Sequence, residues 1–229
     1  MGNASRHFPQ FFKLHKQIII FYLLSMLNNL IDIKKKYENL INSRNCVFKK
    51  CKSCIVILEK LNDTITNESR GDIFDDKCAQ FRANKLLVLK IFNIVSLTEL
   101  ASIDNSIYPS KQIKYLVGNV IEEKNFNTDL NKIHTEGIHY YKTIEPAYYK
   151  NLQLNDYTGK YYEWHENGAK KLECEYFAGN LSGMYAKWFS NGKKLELCEY
   201  VDGKLHGRFQ EWSINGVIYI DERLYNDVV

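Results

Sequence analysis

Apolar residues recur along this chain in three different rhythms. Ile19, Leu23, Met26, Leu30, Ile33, Tyr37 and Leu40 alternate steps of four and three, with Lys34, Lys35 and Lys36 between them. That stripe predicts one long amphipathic helix near the N-terminus. The run from Ile18 to Leu27 behind Lys13 and Lys16 has the charge and apolarity of a signal peptide, yet no small-residue cleavage site follows it. Ser25, Asn28, Asn29 and Asp32 interrupt it well short of the roughly 18 to 20 apolar residues of a membrane span. The expectation is therefore a helix packed on its own domain, with a basic interfacial helix or a partner-binding helix as alternatives. Met26 also offers an internal start that would remove the apolar run.

From about residue 78 to 150 the rhythm is mixed. Lys85 to Ile91 reads as strand or helix and Tyr115 to Ile121 as a strand. Thr143-Ile144-Glu145-Pro146 supplies a hydroxyl cap, an acid and an early proline, which start a short helix through Tyr149. A small α+β unit is predicted.

The third rhythm is a repeat. Shifted by 24 places, Gly159 falls on Gly183 and Gly207, and Trp164 on Trp188 and Trp212. Asn167-Gly168, Asn191-Gly192 and Asn215-Gly216 share one register, as do Gly179 with Gly203 and Cys174 with Cys198. An aromatic run, an Asn-Gly turn and a second alternating run make each unit a hairpin, with positive φ expected at both turn centres. A lone hairpin is marginal in water, so three units predict a six-stranded antiparallel meander with the tryptophans in its core. Leu152, Asn155, Tyr157 and Thr158 stand in register with Tyr176, Gly179, Leu181 and Ser182, a degenerate half unit. After Ile220 the third unit loses its pattern, as a C-terminal cap would.

The fold expected is α+β: an N-terminal helical segment over 1–77, a small mixed domain over 78–156 and a β-meander over 157–229. Charge sharpens the division. Residues 1–60 carry 11 Lys+Arg and 3 Asp+Glu, whereas residues 61–156 carry 11 and 13 and residues 157–229 carry 9 and 11. Because the aromatic-rich third is slightly acidic, nucleic acid is not expected as a partner. Cys46, Cys51, Cys54 and Cys78 form one CxxC without a second pair, so buried structural thiols are expected rather than a metal, with a zinc site as the alternative. Sequons at Asn3, Asn62, Asn67 and Asn180 argue only weakly for secretion.

The G-x-Y-x-x-W-x-x-N-G pattern of residues 157–229 resembles the MORN (membrane occupation and recognition nexus) repeat. The likeness is to the 24-residue variant of bacterial antitoxin-like proteins and of giant DNA viruses of amoebae. Gly137-Ile138-His139-Tyr140-Tyr141, with Glu145 following, resembles a small domain that accompanies such repeats in those viruses. It also resembles the Gly-Ile-Tyr-Phe strand of ADP-ribosyltransferases, although the upstream His-Gly motif of that family is missing: no His lies between His15 and His134. These likenesses imply a non-catalytic scaffold for a protein partner, in the cytoplasm of a cell or host or in a virion. Lys170, Lys171, Lys193, Lys194, Glu163 and Glu211 are the candidate exposed contacts. An anionic membrane surface met by the basic N-terminus is the second partner class, and ADP-ribosyl transfer the third reading. No cofactor and no small-molecule substrate are expected.

Overall fold

The computed structural model describes residues 29–105 and 113–225, with side chains as far as Arg223. Over these residues the chain is mostly antiparallel β, in two six-stranded sheets and a two-stranded one. Helix α1 (residues 29–36) and the single turn α2 (Glu38–Ile41) meet at Tyr37, whose backbone leaves the helical region. Ile33, Tyr37 and Leu40 do face a core, while Ile19, Leu23 and Met26 lie outside the described residues.

The helical segment expected over 1–77 gives way at Cys46. Strands β1 (Cys46–Cys51) and β2 (Cys54–Glu59) form a hairpin around Lys52 and Ser53. Cys54-Ile55-Val56-Ile57-Leu58 is five consecutive buried residues, the signature of a central strand covered on both faces. Beyond it come β3 (Gln80–Ala83), β4 (Lys85–Asn93), β5 (Ser102–Asn105), β6 (Ile113–Leu116), β7 (Val120–Glu122) and β8 (Ile138–Tyr141). The first sheet runs β3-β8-β1-β2-β4-β7 and so draws strands from both sides of residue 77. The strand expected from Tyr115 to Ile121 is broken in two by a turn at Gly118, where φ is +85°.

Both faces of this sheet are packed. Phe48, Ile55, Ile57 and Phe92 meet Ile33 and Tyr37 and, from helix α3 (Ile144–Tyr149), Ile144, Ala147 and Tyr148. Val47, Val56, Leu58, Phe81, Val88 and Tyr140 meet Tyr115 of the β5–β6 pair on the other face. The hydroxyl of Thr143 does not cap α3; it donates to the Lys77 carbonyl at 2.9 Å.

The second sheet is the expected meander. Strands β9 (Gly159–Trp164), β10 (Lys170–Phe177), β11 (Asn180–Trp188), β12 (Lys194–Val201), β13 (Lys204–Trp212) and β14 (Ile218–Tyr225) lie side by side in chain order. The third unit keeps its strand to Tyr225 although its pattern fades after Ile220. The half unit is real in its hydrogen bonding: Gly179 N donates to Tyr157 O, as Gly203 N does to Leu181 O 24 residues on.

The turns are distributed differently from expectation. Positive φ at both centres occurs at Ala178-Gly179 and Asp202-Gly203, between units. At the Asn-Gly turns only Gly168, Gly192 and Gly216 have positive φ. Each of these is a wider loop in which His165, Phe189 or Ser213 closes on the residue four places ahead. Asparagine serves there through its side chain. Asn167 Oδ1 accepts from Ala169 N, while its amide donates to Ser190 O at 2.8 Å in the neighbouring turn; Asn191 repeats the pattern towards Ile214 O.

Candidate interaction surface

The residues singled out around residue 137 do not converge. Gly137 lies against Arg82, whose Cβ a side chain there would meet at 3.0 Å. The His139 ring bonds the Ile133 carbonyl at 2.8 Å, and burial pushes its basicity down. Tyr140 donates to Glu68 at 2.7 Å, and Glu145 pairs with Lys34. Each group is occupied by a different structural partner. Arg82 itself is fully buried and satisfied by backbone: it donates to Asn127, Asp129, Lys132 and Glu136 carbonyls and so moulds the 127–136 loop.

Lys34, Lys35, Lys36, Arg44 and Lys52 are exposed, and several basic groups of residues 29–60 have partners within the fold. Lys34 pairs with Glu145, Lys36 with Glu99, and Lys60 with Glu68 at 2.9 Å. Lys49 donates to His139 O and Lys50 to Tyr148 O, and burial pushes both ammonium groups down, Lys50 to about 8. These contacts tie the basic segment to residues 61–156.

Cys51 and Cys54 face each other across the β1–β2 hairpin, and Cys46 sits at the far end of β1. Among the described residues no three His, Cys, Asp or Glu side chains gather as metal ligands. Burial pushes the thiols up, Cys51 to about 11 and Cys78, Cys174 and Cys198 to about 12. Asn67 is buried, with its amide on Leu130 O and its carbonyl oxygen accepting from Arg82 N, so this sequon is structural.

The first Asn-Gly turn is where the two sheets join. Asn167 O accepts from Phe74 N and Asp75 N at 2.8 and 3.1 Å, and Glu166 O from Gln80 N at 3.0 Å. Gly168 is pressed so closely on this loop that a Cβ would stand 1.9 Å from Asp75 O. Arg70, missed by sequence reasoning, clamps the joint with bonds to Gln80 O and Glu166 O. Beside this seam lies a cleft of about 340 Å³ bordered by Tyr141, Tyr149, Lys150, Tyr162, Trp164 and Lys171. Trp164 and Tyr162 stack at 6.0 Å, and Tyr149 meets Tyr162 edge-on at 5.3 Å.

From Trp164 an aromatic and cationic stripe crosses the repeat sheet. Lys170 stands opposite Trp164, Lys194 opposite Trp188 and Ile218 opposite Trp212. Lys170 Nζ lies 5.2 Å from the Trp188 ring and Lys194 Nζ 5.6 Å from that of Trp212. All five side chains therefore share one face. The tryptophans are half-buried rather than the core residues expected: Tyr149 and Tyr162 flank Trp164 at the seam, and beyond it Lys170 lies by Trp188 and Lys194 by Trp212. The buried column is on the other face, where buried Tyr161, Cys174 and Cys198 stand in register with half-buried Tyr185. Lys171 is paired with Glu163 at 2.8 Å, and Lys193 reaches Asn215 O at 3.1 Å.

No helix among the described residues is long and apolar enough to cross a membrane. No curated protein and no solved structure matches the chain. Residues 37–147, which hold the whole first sheet and most of α3 but none of the repeats, match the model of a family of unknown function, DUF5758.

Proposed function

We propose that this chain is a non-catalytic interaction scaffold whose MORN-type repeat sheet receives a protein partner on its tryptophan-bearing face. The observation that carries the reading is the row Trp164, Lys170, Trp188, Lys194, Trp212, half-buried to exposed on one face of the repeat sheet. Half-buried tryptophans with cations beside them are the composition of recognition hot spots, since each ring contributes apolar area with little conformational entropy to lose. The first sheet, packed on both faces and tied to the first turn through Arg70, serves as a rigid mount. The residues of the 137–145 segment support this reading because their polar groups are spent within the fold.

Capture of partners from cells that express the chain tests the proposal. Wild type and a Lys170→Glu, Lys194→Glu variant serve as baits, with bound proteins identified by mass spectrometry. The scaffold reading expects a partner retained by wild type and lost by the variant at unchanged melting temperature. Retention by both, or NAD consumption by the purified chain, overturns it.

A further inference from the structure

We propose that the occupant of this face is an acidic, proline-rich segment in the polyproline II conformation; the inference rests on the scaffold reading and deepens it. The argument is one of spacing. Trp164, Trp188 and Trp212 sit on β9, β11 and β13, two strands apart. Neighbouring strands are about 4.8 Å apart, so the rings recur about every 9.6 Å. A polyproline II chain advances about 3.1 Å per residue with three residues per turn, or about 9.3 Å. Every third residue of such a chain laid across the strands thus arrives at successive tryptophans, slipping by only about 0.3 Å per step.

The alternatives fall out of step. An extended strand repeats its facing side chains about every 6.7 Å. An α-helix rises about 5.4 Å per turn, and two turns overshoot the interval by more than 1 Å.

Side-chain chemistry then selects the residues. Proline rings dock between aromatic side chains, and polyproline II is already ordered before it binds. Between the tryptophans stand the cations. Lys194 is joined to no carboxylate among the described residues, whereas Lys170 holds Glu173 at 2.7 Å. An acid on the incoming chain meets Lys194 directly and competes with Glu173 for Lys170. The ligand implied is a repeat of proline, any residue and acid, entering from the seam cleft at Trp164 and Lys150.

Tryptophan emission of the full chain, titrated with a synthetic peptide of Pro-Pro-Glu triplets long enough to span the three rings, reads this directly. Saturable binding is expected, weakened at least tenfold by Lys194→Glu and by Trp188→Ala. Lys194→Glu changes only a surface charge and keeps the test valid should Trp188→Ala fail to fold. A Gly-Ser-Glu peptide of equal length and charge is expected to bind at least tenfold more weakly. Equal binding of that peptide, tighter binding of oligothymidylate, or no saturation by the proline peptide overturns the inference. If a captured partner depends on Lys170 and Lys194 yet is not displaced by the proline peptide, the ligand chemistry fails while the scaffold reading stands.

Discussion

Arg70 Nη2 donates to the carbonyl of Glu166 at 2.6 Å, and this bond joins the first sheet to the first turn of the repeats. The same guanidinium holds Gln80 O and Asp72 and lies over the Phe81 ring, with its side chain fully buried. Replacing it by Met keeps the bulk but removes the charged donor from Gln80 O and from Glu166 O, which then keeps only its bond from Gln80 N, at about 1 to 2 kcal/mol for each lost bond. Arg70→Met is expected to lower stability by about 2 to 4 kcal/mol and to split one unfolding transition into two, as the sheets come apart. Calorimetry checks this, and a single unshifted transition would count against the joint.

Gly168 and Gly216 occupy equivalent turns with φ of +88° and +86°, but their surroundings differ. A Cβ on Gly216 would meet only Lys193 at 3.7 Å, while on Gly168 it would strike the backbone of Asp75 and Ala79. Both alanine variants pay about 1 to 2 kcal/mol of left-handed strain. Gly168→Ala adds the clash and is expected to cost at least twice as much. Urea melts of the two variants side by side decide it, and equal losses would show that the first turn is not docked.

Burial holds Cys174 and Cys198 protonated up to about 12, whereas an unfolded thiol ionises near 8.5. Between those values the native state binds more protons than the unfolded one, so stability falls as pH rises through this window. Lys50, pushed down to about 8, acts in the opposite sense but is common to wild type and variant. The Cys174→Ala, Cys198→Ala variant is expected to lose less stability than wild type between pH 7.5 and 10, measured by urea midpoint. Equal losses would remove the thiols from the account.

Trp188 is half-buried beneath Lys170. Trp188→Ala is therefore expected to cost about 2 kcal/mol rather than the 3 to 5 of a fully buried indole. Chemical denaturation measures this, and a loss above about 4 kcal/mol would place the ring in a true core.

The repeat was legible because its signal is written 24 residues apart in glycine, tryptophan and asparagine, and a meander needs no other information. The turn geometry was not, since Asn-Gly and Asp-Gly both suit positive φ and only the loop length closed by His165 and Ala169 separates the two uses. The β1–β2 hairpin was hidden for another reason. A strand buried on both faces loses its alternation, and Lys49 and Lys50 inside β1 made it read as part of a basic helical segment. Arg70 and Arg82 carry no local pattern at all. Their importance comes from carbonyls between 10 and 96 residues away, which no window of sequence brings together.

The central claim is that the tryptophan face of the repeat sheet is where a partner sits. Amide hydrogen exchange of the full chain, with and without the captured partner, tests it most directly. New protection is expected on β9 through β13, in peptides containing Trp164, Trp188 and Trp212, with the first sheet unchanged. Protection confined to residues 29–60, or absent from the repeats, would contradict it.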